Sequence, residues 1–111
     1  MKLKRFFYEL EALSGKSYFI GEQEVYLFMD FTATRSTFEY NIYLGVYKEG
    51  EEDDFFAEPE RQPNPMFYST VYEHWNNKES RELIIEQIKS DMERLAKLEA
   101  HVKDTLNNQT I

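Results

Sequence analysis

The sequence predicts an α+β fold with an N-terminal helix, an antiparallel sheet of three to four strands and a long C-terminal amphipathic helix. Two patterns indicate this class. Apolar residues recur at steps of three and four near both ends of the chain, and with a period of two in its middle. A chain of 111 residues is expected to form a single domain, residues 1–111.

The first predicted helix covers about residues 2–13. Its apolar side chains are spaced so that they share one face: Leu3, Phe6, Phe7, Leu10 and Leu13. Ser14-Gly15 is expected to end it, because glycine readily adopts the left-handed conformation that closes many helices. Such a short helix is marginal alone and must pack on another element.

A β-hairpin region is predicted over residues 17–48. Its two main segments, 24–31 and 37–48, alternate apolar and other side chains and are rich in aromatic and β-branched residues, which is the pattern of strands. The short polar connector 32–36 favours antiparallel pairing of these segments. Residues 17–20 form a candidate short strand, followed by a turn at Gly21-Glu22.

Residues 49–65 are predicted to be a long surface loop. Its first part, residues 49–60, is called the acidic loop here, because seven of these twelve residues are acidic and none is basic. Prolines 59, 63 and 65 disfavour regular structure in its second part. Phe55 and Phe56 are expected to anchor the loop to the body of the protein. A further strand is predicted over residues 66–75.

The last predicted element is a helix over residues 78–106. Asn76 followed by Glu79 resembles a capping box. Apolar residues recur at steps of three and four: Ile84, Ile88, Met92, Leu95, Leu98, Val102 and Leu106. Such a helix would be roughly 40 Å long, which exceeds the diameter of about 34 Å expected for the globule. It must therefore overhang, kink or pack against another molecule.

The near-heptad spacing of this helix favours a homodimer. The predicted oligomerisation residues are Ile88, Met92, Leu95, Val102 and Leu106. In the alternative, the first half of the helix packs on the sheet and its end frays.

Several classes of chemistry are disfavoured by the composition. The chain has no cysteine, and its two histidines, His74 and His101, lie on different predicted elements. It contains neither a Gly-x-Ser-x-Gly motif nor a glycine-rich phosphate loop. Glu39 and Glu73 could pair as acid and base, but exposed strand glutamates serve solubility more often. We therefore expect no enzyme, no catalytic residue, no metal and no cofactor.

A row of aromatic residues lies on the strand faces opposite the predicted core: Tyr26, Phe28, Tyr43, Tyr47, Tyr68 and Tyr72. In one interpretation the N-terminal helix covers one sheet face and the long helix covers the other, so that both are buried. In another, this face binds a protein. Direct nucleic-acid binding is disfavoured, since Arg35 and Lys48 are the only basic residues between positions 22 and 60.

Negative charge is concentrated in the middle of the chain. The formal charge of the protein is −8, and residues 22–60 hold eleven acidic and two basic residues. The acidic loop is either a solvated segment without a partner or a docking site for a basic protein surface, such as that of a nucleic-acid-binding enzyme. The predicted partner-binding residues are Glu49, Glu51, Glu52, Asp53, Asp54, Glu58, Glu60, Tyr43 and Tyr47.

The leading functional hypothesis is a small acidic, non-catalytic protein-binding module, of the general profile shared by antitoxins, immunity proteins and phage-encoded inhibitors. The alternatives are a structural, assembly or chaperone-like protein that dimerises through the C-terminal helix, and a small-molecule binder or enzyme with a tyrosine-lined pocket. The chain is expected to be cytoplasmic and not to bind membranes. No apolar run reaches the roughly 20 residues of a membrane span, and Glu9 and Glu11 interrupt any signal-like N-terminus.

Overall fold

The predicted helix–sheet–helix order is present in the structure. A computed structural model describes residues 1–72 and 74–109, and it confirms the α+β class. The elements follow one another as α1 (Leu3–Leu13), β1 (Gly15–Ile20), β2 (Gln23–Ala33), β3 (Thr37–Val46), β4 (Glu60–Arg61), β5 (Phe67–Tyr72) and α2 (Lys78–Gln109).

The five strands form one antiparallel sheet in which β1, β2 and β3 are successive neighbours. Both β4 and β5 lie along the other edge of β3: β5 pairs with residues 37–42 and β4 pairs with Gly45 and Val46. The strand β4 was not predicted, since it consists of two residues within a segment that reads as loop. The strand β1 begins at Gly15, directly after the right-handed C-cap Ser14, so a left-handed glycine does not end α1.

One face of the sheet carries the hydrophobic core. The side chains of Val25 and Leu27 from β2 are fully buried, as are those of Phe38, Tyr40 and Ile42 from β3. The register pairs Leu27 with Leu44 and Met29 with Ile42, so the two alternating patterns meet on the same side. This confirms which face of each central strand the sequence assigned to the core.

Both helices pack on this same face, which is named the helix-covered face. Phe6 of α1 lies 5.6 Å from the ring of Phe38 between centroids. From α2, Asp91 accepts a 2.6 Å hydrogen bond from the Tyr40 hydroxyl. The interpretation that the two helices bury opposite sheet faces is therefore wrong. Together α1 and α2 bury most of this face, and Phe31 and Val46 at its margins stay exposed.

The helix α2 begins one residue later than its sequence motif suggests. Asn77, rather than Asn76, is the N-cap, and its Oδ1 accepts a 2.9 Å hydrogen bond from the Ser80 amide. The side chain of Asn76 instead accepts a 2.6 Å hydrogen bond from Arg81.

Among the described residues, no helix has both the length and the apolarity to cross a membrane.

The buried side of α2 diverges from the apolar row that the sequence shows. Ile88, Met92 and Leu95 are at most 4% exposed and pack into the protein's own core, so a second helix has no access to them. Further along, Ala96 and Ala100 are buried, while Leu98, Val102 and Leu106 are 53%, 41% and 56% exposed. Val102 and Leu106 lie about five turns after Ile84 and Ile88 and so point in the same direction from the helix axis. They are exposed because the core contacts a different side of α2 near its end, the side that carries Ala96 and Ala100.

The other sheet face, named the open face, carries aromatic and polar side chains. The rings of Tyr26 and Phe28 lie 5.0 Å apart and pack over Gly45. A Cβ at Gly45 would come within 2.8 Å of the Phe28 ring, so this glycine is required for space. The molecule measures 52 × 28 × 24 Å, and its long axis reflects the overhang of α2.

Candidate functional site

The acidic loop is held at its base by the sheet. Val46, the last residue of β3, pairs with Glu60 of β4, so the two ends of the intervening segment 47–59 lie side by side. Lys48 and Glu60 form a 3.2 Å ion pair across this base, and that contact raises the pKa of Lys48. The short strand β4 therefore closes a segment that the sequence presents as an unstructured connection.

The loop is folded into successive tight turns. The amides of Glu51, Asp54 and Ala57 each donate to the carbonyl three residues earlier, at 3.0, 3.1 and 3.1 Å. Gly50 has a φ of +85°, a conformation that other residues rarely adopt. The Asp54 carboxylate accepts a 3.0 Å hydrogen bond from the amide of Phe56. These local bonds give the segment a defined shape without an apolar core.

Two phenylalanines project from this loop into solvent. Phe55 is 92% exposed and Phe56 is 87% exposed, and their rings contact each other edge to face at 5.2 Å between centroids. The prediction that they anchor the loop to the body is wrong. Their chain neighbours are carboxylates and tight turns, so no apolar surface is formed beneath them.

The carboxylates of the acidic loop are largely unpaired. Within the described part of the chain, Glu60 is the only one of the seven that forms an ion pair. Glu51 is half-buried and the rest are exposed: Glu49, Glu52, Asp53, Asp54, Glu58 and Glu60. The result is a continuous negative segment that surrounds the exposed pair Phe55–Phe56.

The two tyrosines assigned to the site have different positions. Tyr43 is only 9% exposed, because the guanidinium of Arg61 lies over its ring at 4.2 Å. Arg61 is fixed there by a 3.0 Å ion pair with Asp30. Tyr47 is half-buried at the base of the loop, and loss of water contact together with the charge of Glu24 raises its pKa. Only Tyr47 is placed to contact a molecule bound at the loop.

A cleft of about 360 Å³ connects the loop with the end of α2. Glu52 and Tyr47 line it on the loop side, and Glu99 and Lys103 line it on the helix side. The ammonium of Lys103 donates a 3.2 Å hydrogen bond to the Glu24 carbonyl. Across residues 1–72 and 74–109, His, Asp and Glu side chains form no cluster of three suited to a metal ion.

The pair of carboxylates considered for acid–base chemistry, Glu39 and Glu73, lies only in part within the described residues. Glu39 is exposed on the open face, and Glu73 lies outside the described residues. The serine and histidine considered for catalysis, Ser69 and His74, also differ in position: Ser69 is on the helix-covered face, where it pairs with Tyr40, and His74 is exposed beyond the end of β5.

No protein-family model, characterised protein or solved structure matches this chain. The site is therefore interpreted from its own residues.

Sequence reasoning identified the carboxylates but missed the exposed phenylalanines. The sequence around them could have indicated their exposure. Both follow four consecutive acidic residues and precede Ala57, so they belong to no strand-like or helix-like pattern of buried apolar residues. Lys103 and Glu99 of the cleft carried no signal, because their proximity to the loop depends on how α2 crosses the sheet.

Proposed function

We propose that the chain is a non-catalytic protein-binding module that docks through its acidic loop on a basic surface of a partner protein. The observation that carries this proposal is the pair Phe55–Phe56, 92% and 87% exposed, within a loop of mostly unpaired carboxylates. The role that fits this combination is an inhibitor of the antitoxin, immunity or phage-encoded type. A nucleic-acid-binding enzyme is a suitable partner, because carboxylates can occupy its phosphate-binding positions.

The charge of the loop supports fast and selective encounter with such a surface. Unpaired carboxylates attract basic patches over about 8–10 Å at physiological ionic strength. Complementary charge chiefly accelerates association and sets the orientation of the partners. The same charge repels nucleic acid and anionic lipid, which supports a protein as the partner.

The two phenylalanines supply apolar contact area, which the charges of the loop do not provide. Burying one such side chain in an apolar pocket contributes about 1.5–3 kcal/mol. Aromatic residues at the centre of an interface, with polar residues around them, form the arrangement in which a few side chains dominate affinity. We therefore assign apolar anchoring to Phe55 and Phe56, and steering to the surrounding carboxylates.

The test is capture from host lysate with two loop variants, followed by titration of the recovered partner at several salt concentrations. One variant neutralises four carboxylates: Glu51→Gln, Glu52→Gln, Asp53→Asn and Asp54→Asn. It is expected to bind about 10–100-fold more weakly and with a shallower salt dependence. The other, Phe55→Ser with Phe56→Ser, is expected to weaken binding about tenfold or more while the salt dependence is unchanged.

A matched control removes the same charge elsewhere. It carries four exposed substitutions far from the loop: Glu39→Gln, Glu79→Gln, Glu82→Gln and Glu86→Gln. This control is expected to bind within about threefold of the wild type, because screening limits the reach of distant charges. If the loop variant retained the partner with unchanged salt dependence, the proposal would be wrong.

The second candidate function is a structural, assembly or chaperone-like protein that dimerises through α2. It is favoured by Leu98, Val102 and Leu106, which are exposed at four-residue spacing on the overhanging end of the helix. Of the five predicted oligomerisation residues, only Val102 and Leu106 remain accessible. Sedimentation velocity should then show a dimer that Val102→Glu dissociates, and a monomer at every concentration would exclude this function.

The third candidate, a small-molecule site, corresponds to the cleft between the acidic loop and α2. Its lining includes two tyrosines, Tyr26 and Tyr47, together with the carboxylates of Glu24, Glu52 and Glu99. Such a lining favours a cationic ligand. The cytoplasmic location that the sequence predicts belongs to the same set of proposals.

A further inference from the structure

The strand β2 has an edge that the rest of the sheet does not cover. It runs from Gln23 to Ala33, but β1 pairs only with residues 23–28. The amide of Met29 donates a 3.0 Å hydrogen bond to the Ser14 carbonyl, so the backbone of Met29 is directed toward the β1 side. Alternate residues of a strand direct their backbone groups to the same edge. Phe31 and Ala33 therefore present their amides and carbonyls on this side.

These four backbone groups have no hydrogen-bond partner among the described residues. The chain that precedes β1 has already turned into α1, so no strand continues beside them. The side chains of Phe31, Thr32 and Ala33 are also exposed. The segment is thus an open template for one further strand.

The other edges of the sheet carry features that oppose such pairing. The β4–β5 edge is bordered by Pro59, Pro63 and Pro65, and the β1 edge carries Lys16. Proline and lysine are the residues that proteins commonly place on edges to prevent association. The segment Phe31–Ala33 contains neither of them. Its open backbone is therefore unprotected, in contrast to the rest of the sheet boundary.

A groove lies next to this edge, between β2 and α1. It has a volume of about 380 Å³, and its apolar lining is Phe7, Leu10, Met29 and Phe31. The rings of Phe7 and Phe31 lie 6.2 Å apart, and these two side chains are 44% and 37% exposed. A strand added to β2 would direct every second side chain into this groove. Backbone pairing and an apolar pocket are thus available at the same place.

We propose that an extended segment of a partner protein binds here by adding a strand to β2 at Phe31–Ala33. The groove requires this segment to carry a bulky apolar residue. Glu11 and Asp30 are the charged residues that line the groove. Asp30 is already paired with Arg61, so Glu11 is left to attract a lysine or arginine next to that apolar residue of the bound segment. The occupant is therefore an extended peptide in which an apolar residue has a lysine or arginine beside it.

This surface is distinct from the acidic loop and does not rest on the function proposed for it. The loop follows Val46, which lies at the end of the sheet where β2 begins, whereas Phe31–Ala33 is at the opposite end of β2. Six residues of strand separate the two regions by about 20 Å. Neutralising the loop is expected to leave peptide binding at this groove unchanged within about twofold, because that distance exceeds the screening length.

The test uses a phage-displayed library of random seven-residue peptides, selected on the wild type and counter-selected on Ala33→Pro. Proline at this position removes the outward amide and leaves the bonds between β2 and β3 intact. The peptides enriched on the wild type are expected to contain alternating apolar residues and at least one lysine or arginine. The most enriched peptide is then synthesised with and without N-methyl groups on alternate amides, and its affinity is measured by fluorescence anisotropy.

We expect Ala33→Pro and Phe7→Ala each to weaken this peptide about tenfold or more, and N-methylation to abolish its binding. The matched control Phe19→Ala removes a 72% exposed ring from β1 and should change affinity by less than about twofold. Phe7→Ala keeps the proposal testable if Ala33→Pro does not fold, as judged by circular dichroism.

Three outcomes would overturn the proposal. The selection could yield no peptide that prefers the wild type over Ala33→Pro, or the N-methylated peptide could bind as well as the unmodified one. Alternatively, sedimentation could show a wild-type dimer that Ala33→Pro converts to monomer. That result would assign the edge to a second copy of the chain rather than to a peptide.

Discussion

Replacing Phe6 with alanine is expected to lower the free energy of unfolding by about 3–5 kcal/mol, which would leave a domain of this size barely folded. Phe6 is completely buried at the point where α1, the sheet and the start of α2 meet. Its ring lies 5.6 Å from that of Phe38 and 6.3 Å from that of Trp75, between centroids. The cavity left by Phe6→Ala would be lined by rigid aromatic rings that cannot collapse into it.

The adjacent residue provides a matched control. Phe7 belongs to the same helix and differs from Phe6 mainly in its exposure of 44%. Phe7→Ala is therefore expected to cost only about 1 kcal/mol or less. Urea unfolding followed by tryptophan fluorescence and by circular dichroism would measure both variants. Equal losses for the two would contradict the packing of α1 described above.

Stability above pH 10 is expected to fall more steeply for the wild type than for Tyr40→Phe. The Tyr40 side chain is fully buried, and its hydroxyl donates a 2.6 Å hydrogen bond to Asp91. Burial, and then this bond to a carboxylate, raise the pKa of Tyr40 well above its usual value of about 10. The negatively charged phenolate form of Tyr40 is therefore unfavourable in the folded protein.

The direction of the pH effect follows from proton binding. Above about pH 10 the unfolded chain loses the Tyr40 proton, while the folded protein retains it. The folded state then binds more protons than the unfolded state, so the free energy of unfolding decreases as the pH rises. Below about pH 10 both states are protonated, and this contribution does not change with pH.

Tyr40→Phe removes the titrating group and the hydrogen bond together. At pH 7 it is expected to cost about 1–2 kcal/mol, since Asp91 loses its donor. Between about pH 10 and 12 the variant should lose less further stability than the wild type. Tyr68→Phe, at a hydroxyl-bearing side chain that is 71% exposed, is the matched control and should follow the wild type. The free energy of unfolding at each pH would be measured by urea titration. An equal decrease with pH for the wild type and Tyr40→Phe would contradict this account.

The strands and their inward faces could be predicted because alternation is a local property. Val25, Leu27 and Met29 occupy every second position, and so do Phe38, Tyr40 and Ile42. A period of two assigns each set to one face whatever the rest of the chain does. It does not say what lies on the other face, and the sequence therefore left the position of the helices open.

The candidate site was predicted in part for a similar reason. A run of carboxylates in a proline-containing segment is exposed in almost any fold, so the exposed negative charge of the acidic loop could be predicted from the sequence. The exposure of Phe55 and Phe56 was not, because an apolar side chain is exposed only if no surface forms beneath it. The free edge of Phe31–Ala33 was also hidden, since it depends on where β1 stops along β2.

The sequence by itself determined the order of the elements, the core side of the central strands and the place where negative charge accumulates, because each of these follows from residues close together in the chain. Only the tertiary structure decided that both helices share one sheet face, and that Leu98, Val102 and Leu106 turn away from it. It also decided that β2 keeps an open edge. These features depend on contacts between segments far apart in the chain, which no local sequence pattern contains.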